Sequence, residues 1–377
     1  MHKTSVLITV SFACLVYSCS ISKKQSQTGD ALQYEGMHPA SQINAVKNFI
    51  NAKDKNTISA FEQMIVSANA ALTMQHHALA DFSVPGFYKD SATHRSNSLS
   101  IQKDGFAAYN CALAWRLTGE EKYRKKAVYF LDAWSTINKK YSQNDGSLVM
   151  AYSGTSFMMA AQLLKPSKKW ETASRESFNQ WLNNVYLHAA NKIKKGHNNW
   201  GDWGCFGALL ATSYLNDTAA FAENVQLLKK GIIDKISEDG HMPAETKRGG
   251  NSIWYTYFSL APITASCWVV YTNTGENLFQ LEQDGKSIKK ALDYLLQYHE
   301  NPGKWPWAKN PVTQVDNHRL GPVGVWPYNL FEAMHGIYQD KNFKKFADKE
   351  APIIYPDHHY AWVFPSLMQP KIKGTNK

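Results

Sequence analysis

Apolar residues recur at intervals of three and four along almost the whole chain, and this rhythm limits the possible folds more than any other feature. Ile58, Phe61, Ile65, Ala68 and Leu72 follow it, as do Tyr123, Ala127, Phe130, Leu131 and Trp134, and again Phe221, Val225, Leu228, Ile232 and Ile236. Such spacing lays one apolar stripe along a helix, and no series alternating every second residue reads as a strand. The pattern predicts helices near residues 42–51, 57–75, 104–118, 120–138, 155–164, 171–191, 203–215, 218–237, 251–272, 285–299, 327–338 and 341–348, with turns at Thr118-Gly119 and Glu238-Asp239-Gly240. Helices in this number, joined as successive hairpins, cannot bury their stripes in a four-helix bundle. They are expected to curl into a ring, giving an all-α toroid, an incomplete barrel of helical hairpins forming one domain over residues 37–377.

The start of the chain reads differently. His2 and Lys3 precede an apolar run from Val6 to Val16, too short to span a bilayer, which is the pattern of a secretory signal. Val16-Tyr17-Ser18-Cys19 resembles a bacterial lipobox, so residues 1–18 are expected to be removed and Cys19 to carry lipid; an ordinary signal with an incidental Cys19 is the plainer alternative. Residues 19–36, rich in Lys, Gln and Ser, suit a flexible tether. The expected location is the periplasm or the outer membrane of a Gram-negative bacterium, with membrane contact only through that anchor.

Past Cys19 only Cys111, Cys205 and Cys267 remain, without metal-ligand spacing, so neither a disulfide framework nor a zinc site is expected. No cofactor is indicated, and a monomer is expected. The formal net charge of +10, without nucleic-acid motifs, points to a polyanionic partner such as an acidic polysaccharide, although scattered surface lysines give the same sum. Twelve Trp and nineteen Tyr, several in Gly/Asn/Pro-rich stretches, offer flat rings on which sugar faces stack.

Unusual composition gathers in four loops, residues 82–97, 195–203, 239–251 and 303–326, and loops at one end of a helical ring converge on a central cavity. The run Gly196-His197-Asn198-Asn199-Trp200-Gly201-Asp202-Trp203 opens a helix; capping accounts for one Asn but not for both. A second run carries Glu245, Lys247 and Arg248 and leads through Gly249-Gly250 to Tyr255 and Tyr257. Those two glycines interrupt any helix between Arg248 and Tyr255, so the sequence supports nearness and no more.

Elimination across a uronate needs this kind of set. The C5 proton is weakly acidic while the adjacent carboxylate is charged, so amide donors and an arginine must take up that charge, each well-placed donor contributing about 3–4 kcal/mol to the transition state. One group must then take the proton and another must protonate the oxygen leaving C4. Tyrosine serves either role if a neighbouring cation lowers its pKa. Asn198, Asn199, Arg248 and Tyr255 supply such a set without a metal.

In order and spacing, Asn198-Asn199 followed by Glu245-x-Lys247-Arg248-Gly249 and Tyr255 resembles the alginate-lyase domain of polysaccharide lyase family 5, over residues 100–300. The resemblance implies an (α/α) toroid with a deep cleft acting on mannuronate- or glucuronate-containing chains such as alginate, glucuronan or ulvan. It implies Asn199 as carboxylate neutraliser, Arg248 as its helper, and Tyr255 as base or acid. The family pattern has histidine where this chain has Trp200. His241 and His94 are the candidates to replace it, ahead of His197. Asn198, Trp200, His197, Tyr88, Arg95, Tyr257, His318 and Arg319 are expected to bind substrate, and Tyr257 and Tyr109 compete with Tyr255.

Three rival functions fit parts of the pattern. If C4 carries a hydroxyl, the same proton removal dehydrates a terminal uronate and leaves chain length unchanged. A toroid glycoside hydrolase needs two carboxylates flanking the bond, with Asp104, Asp202, Asp239 and Glu245 available. A non-catalytic glycan-binding lipoprotein leaves the pairing of Arg248 with Tyr255 unexplained.

Overall fold

In the computed structural model residues 35–313 and 326–372 are described, so the expected signal, Cys19, nearly all of the tether, and His318 and Arg319 lie outside the described residues. The last two tether residues are fixed to the body: the Glu35 and Gly36 amides donate to Asn273 Oδ1 at 2.7 and 3.2 Å.

Four long helices, Ser91–Thr118, Gly146–Leu164, Asn199–Leu215 and Ser252–Thr274, pack each against the next. They are apolar or small around most of their circumference, and the Gly146–Leu164 helix is buried at every residue except Gln162. Helices of that kind belong in an inner layer. Against them lie Lys55–Ala71, Glu121–Ile137, Leu187–Ile193, Thr218–Lys235 and Ile288–Glu300, each turning one stripe inward. Phe221, Val225, Leu228 and Ile232 form such a stripe, all buried. The result is the expected toroid of paired inner and outer helices.

Residues 351–372 contain neither helix nor strand, yet nearly all of them are buried. They run through the middle of the inner layer and find hydrogen bonds there, as buried irregular backbone must. Ser153 Oγ donates to the His358 carbonyl at 2.6 Å, Thr155 Oγ1 to that of Tyr360 at 2.8 Å, and Tyr360 Oη to that of Gln102 at 2.7 Å. Trp362 Nε1 donates to Thr264 Oγ1 at 2.9 Å, so one segment ties three inner helices together.

Several expected boundaries shift. The first inner helix begins at Ser91, capped by Asp90 at 3.0 Å from the Thr93 amide, so the expected loop over residues 82–97 ends at Asp90. Its first turns are rich in serine and read as loop, but Ser98 and Ser100 return their hydroxyls to the His94 and Asn97 carbonyls and bury without loss. The second inner helix likewise starts at Gly146 instead of 155. Short strands also occur: Asp81–Ser83 pairs in parallel with Lys140–Ser142, and Glu282–Gln283 with Lys286–Ser287 across an Asp284-Gly285 turn at positive φ. That hairpin displaces the helix expected from 285, which begins at Ile288. Among the described residues, no helix is long and apolar enough to cross a membrane.

Candidate active site

The two asparagines of the Asn198-Asn199 pair have separate duties. Asn198 is extended and caps the helix, its Oδ1 accepting from the Trp200 amide at 3.2 Å, which fixes the side chain and leaves Nδ2 outside the cap. Asn199 occupies the first helical position, 1% exposed, and bonds sideways to Glu245: backbone N–H to Oε1 at 2.7 Å and Nδ2 to Oε2 at 2.8 Å. Gly201 is required by packing, because a Cβ there would lie 2.0 Å from the Gly196 carbonyl oxygen. One turn past Asn199, buried Asp202 accepts from Lys235 Nζ and from Ser259 Oγ on the neighbouring inner helix, one turn past Tyr255. This clip joins the two helices that carry the candidate catalytic groups.

Glu245 lies in the one-turn helix Pro243–Thr246 and is itself 1% exposed. Burial pushes its carboxyl up to about 7; the two Asn199 hydrogen bonds and the Arg248 charge pull down, and the Asp202 charge pushes up. Its side-chain hydrogen bonds go to Asn199, and its backbone carbonyl accepts from the Arg248 amide at 3.1 Å. Arg248 follows, and a Gly249–Asn251 turn with Gly249 at φ +58° leads into the helix starting at Ser252. The Arg248 guanidinium carbon lies 4.2 Å from the centre of the Tyr255 ring, near enough for a cation–π contact. Tyr255 Oη meets Tyr88 Oη at 3.1 Å, with Tyr88 75% exposed on the turn after Gly86.

The expected lowering of the Tyr255 pKa does not occur in this arrangement. Burial and the Tyr88 hydroxyl outweigh Arg248, and the phenol is pushed up to about 12. Tyr255 therefore rests as a neutral phenol at neutral pH.

Neither favoured histidine joins this group. His94, buried in the first turn of its helix, has Nδ1 2.9 Å from the Pro85 carbonyl and 3.3 Å from Asp145 Oδ2, with its ring against Phe87. It braces the turn that carries Tyr88. His241 contacts Asp239 Oδ1 at 2.6 Å and faces the Trp307 ring at 4.6 Å. His197 is exposed, and Arg95, also exposed, places its guanidinium 5.1 Å from the Phe87 ring. Trp200 is half-buried against the core.

Other candidates prove to be packing residues. Tyr257 is fully buried, bonded to Asn329 Oδ1 at 3.1 Å and stacked on Trp326, so it is no substrate binder; Tyr109 is buried against Phe364. The carboxylates considered for hydrolysis do not form an open pair. Asp104 is buried, accepting from the His77 amide and Trp134 Nε1, Asp202 and Glu245 are engaged as described, and exposed Asp239 holds His241. Cys111, Cys205 and Cys267 are buried and unbridged. Among the described residues, no group of three His, Cys, Asp or Glu could hold a metal.

One cluster was not anticipated: His358 and His359 place their rings 5.4 and 5.8 Å from Trp254, the residue before Tyr255, with Asp357 Oδ2 3.0 Å from His358 Nδ1. The adjacent pair of histidines was the signal available in the sequence.

Comparison with known proteins agrees with this architecture. The alginate lyase family profile matches residues 22–305. Alginate lyase A1-III from Sphingomonas species A1 superposes with a TM-score of 0.72 at 15% identity, covering 91% of this chain and 98% of that one. The same enzyme complexed with a tetrasaccharide gives 0.72 at 16% identity, over 92% and 99%. An alginate lyase from Bacteroides ovatus gives 0.68 at 17% identity, over 90% and 99%. No curated protein matches the chain.

Proposed function

We propose, from the premise that this chain belongs to the alginate lyase family and is a carbon–oxygen lyase, that Tyr255, Arg248 and Asn199 carry its β-elimination on uronate residues. The observation that supports this most directly is the line that runs from Asn199 through its hydrogen bonds to Glu245, whose backbone carbonyl accepts from the Arg248 amide at 3.1 Å, and on to the Arg248 guanidinium over Tyr255 and the Tyr255–Tyr88 hydroxyl pair. It unites amide donor, cation and phenol, the three groups the reaction requires, from segments far apart in the sequence.

In this reading Asn199 and Arg248 take up the charge that grows on the uronate carboxylate as C5 loses its proton. The electron pair of the C5–H bond forms the C4–C5 double bond, and the C4–O bond breaks. Tyr255, held as a phenol, passes its proton to the departing oxygen as the same phenolic oxygen receives the proton from C5, so it ends the cycle unchanged. Arg248 stabilises the partial negative charge that this oxygen carries while the two protons move together. Tyr88, exposed beside it, offers a ring and hydroxyl to the incoming sugar. Trp200 leaves no histidine to share the proton work at its position, which favours a single phenol over an acid–base pair.

The substrate class is an alginate-, glucuronan- or ulvan-type chain or its oligomers. Incubation with each, followed by the ultraviolet absorbance of the 4,5-unsaturated uronate and by product mass, tests the reading. Absence of that absorbance with every uronate substrate defeats it. Loss of one water without a smaller fragment would identify dehydration of a terminal uronate instead of chain cleavage. The lipobox-like run before Cys19 supports export and lipid anchoring, which incorporation of labelled fatty acid, absent in Cys19→Ser, would test.

A further inference from the structure

The contact between Asn199 and Glu245 leaves one atom unexplained. Asn199 Nδ2 donates to Glu245 Oε2, and Asn199 Oδ1, buried, has no hydrogen-bond partner. An unpaired buried acceptor is costly, and it stands on the residue assigned to receive a carboxylate, where an outward oxygen repels and an outward N–H attracts.

An amide against a carboxyl has two arrangements on one heavy-atom frame, because its oxygen and nitrogen exchange places by a half-turn. With the carboxyl ionised, nitrogen faces Glu245 and oxygen faces away. With the carboxyl neutral, its O–H donates to Asn199 Oδ1 and both N–H bonds of the amide turn away from Glu245. The backbone N–H of Asn199 donates to Oε1 in either case.

The surroundings of Glu245 favour the neutral form. Burial is the largest influence, and the Asp202 carboxylate on the Asn199 helix acts in the same direction. Against these stand the Asn199 hydrogen bonds and the charge of Arg248, a guanidinium that also faces Tyr255 and Tyr88. Lys235 is directed to Asp202. The balance leaves the carboxyl titrating at about 7.

We propose that the working form of Glu245 is the neutral acid, whose hydroxyl donates to Asn199 Oδ1 and so turns the Asn199 amide N–H groups toward the substrate's carboxylate. The proton enters from solvent before substrate binds and stays through turnover. Glu245 is then a positioning residue that acts through Asn199, and this role rests on the reading of Asn199 as a carboxylate donor.

Glu245→Gln separates the two charge states. Glutamine fixes the neutral arrangement, its Nε2 donating to Asn199 Oδ1 and its Oε1 accepting the Asn199 backbone N–H. In the parent enzyme kcat/KM is expected to fall by about tenfold per pH unit above the transition. In Glu245→Gln this fall is expected to be abolished, kcat/KM staying level across the range in which the parent loses it. A loss of about a hundredfold or more at every pH, in a variant with unchanged circular dichroism, would overturn the proposal by showing that the ionised carboxylate is needed.

Thermal unfolding against pH gives a readout independent of turnover. A carboxyl with its folded pKa raised adds stability that is full below the unfolded carboxyl range and lost as pH rises through about 7. Glu245→Gln is expected to remove that decline, and pH–Tm curves of identical shape for parent and variant would overturn the proposal. If the curves differ as expected while neither protein eliminates across any uronate, the proton on Glu245 stands, and the lyase reading fails together with the Asn199 role.

Discussion

The guanidinium of Arg248 lies over the face of Tyr255, 4.2 Å from the ring centre, while the hydroxyl of the same ring meets Tyr88 at 3.1 Å. The phenol is thus held between a cation that favours its ionised form and a neighbour that opposes it. Burial decides the balance toward the neutral phenol.

Removing only that hydroxyl tests its role. Tyr255→Phe keeps the ring under Arg248 and is expected to retain the parent's circular dichroism while losing about 10²–10⁴-fold in turnover. Near-parent production of unsaturated uronate by this variant would move the proton transfers to another group.

Asn199→Ala removes the side-chain donor and leaves Glu245 only the backbone N–H of residue 199. Turnover is expected to drop about 10²–10³-fold, the cost of deleting one well-placed donor to a developing anion. Steady-state kinetics at saturating substrate check it, and a change confined to KM would make Asn199 a binding group alone.

Asp202 and Lys235 form a buried ion pair that, through Ser259, holds the Asn199 helix against the Tyr255 helix. Lys235→Met strands a buried carboxylate and is expected to cost about 3–5 kcal/mol of stability, measured by denaturant unfolding. Pairing it with Asp202→Leu removes the stranded charge, and a large part of the loss should return. Equal losses in the single and double variants would show that packing, and not charge, dominates there.

Gly201→Ala places a Cβ against the backbone of Gly196, whose oxygen, carbon and nitrogen all lie within 2.9 Å, so no flexible side-chain atom can yield. The expected penalty is about 1–3 kcal/mol from overpacking, with a disproportionate loss of turnover because the displaced turn carries Asn199. Melting temperature and kcat measured together check it; a variant with parent values of both would mean that the turn moves freely.

How much of this the sequence revealed differs by element. Stripes such as Tyr123, Ala127, Phe130 and Trp134 announce their helix because only one face is buried. The inner helices are harder to bound, since Gly146–Leu164 is buried all round and its first turns, Gly, Ser and Tyr among them, carry no stripe. The serine-rich start of the Ser91–Thr118 helix hides for a related reason, its hydroxyls being satisfied by the helix's own carbonyls. Asp284-Gly285 was a legible hairpin signal that the neighbouring apolar pattern masked.

At the site, the order of Asn199, Arg248 and Tyr255 could be read along the chain, and their assembly could not. Nothing local states that Asn199 bonds Glu245 across 46 positions or that Tyr88 reaches Tyr255 across 167. His94 reads as a loop residue in the sequence and is a buried brace, because its helix begins earlier than composition suggests. His358 and His359 carry no local sign of their setting, since a stretch without regular structure gives no reason to expect burial beside Trp254.

The strand-free stretch after residue 350 supplies backbone acceptors to Ser153, Thr155 and Asn329. The helices therefore do not enclose a complete interior by themselves: without this stretch they would surround a hollow that none of them can fill, with buried hydroxyls and an amide left unpaired. The irregular segment is thus as much a part of the scaffold as the regular elements around it.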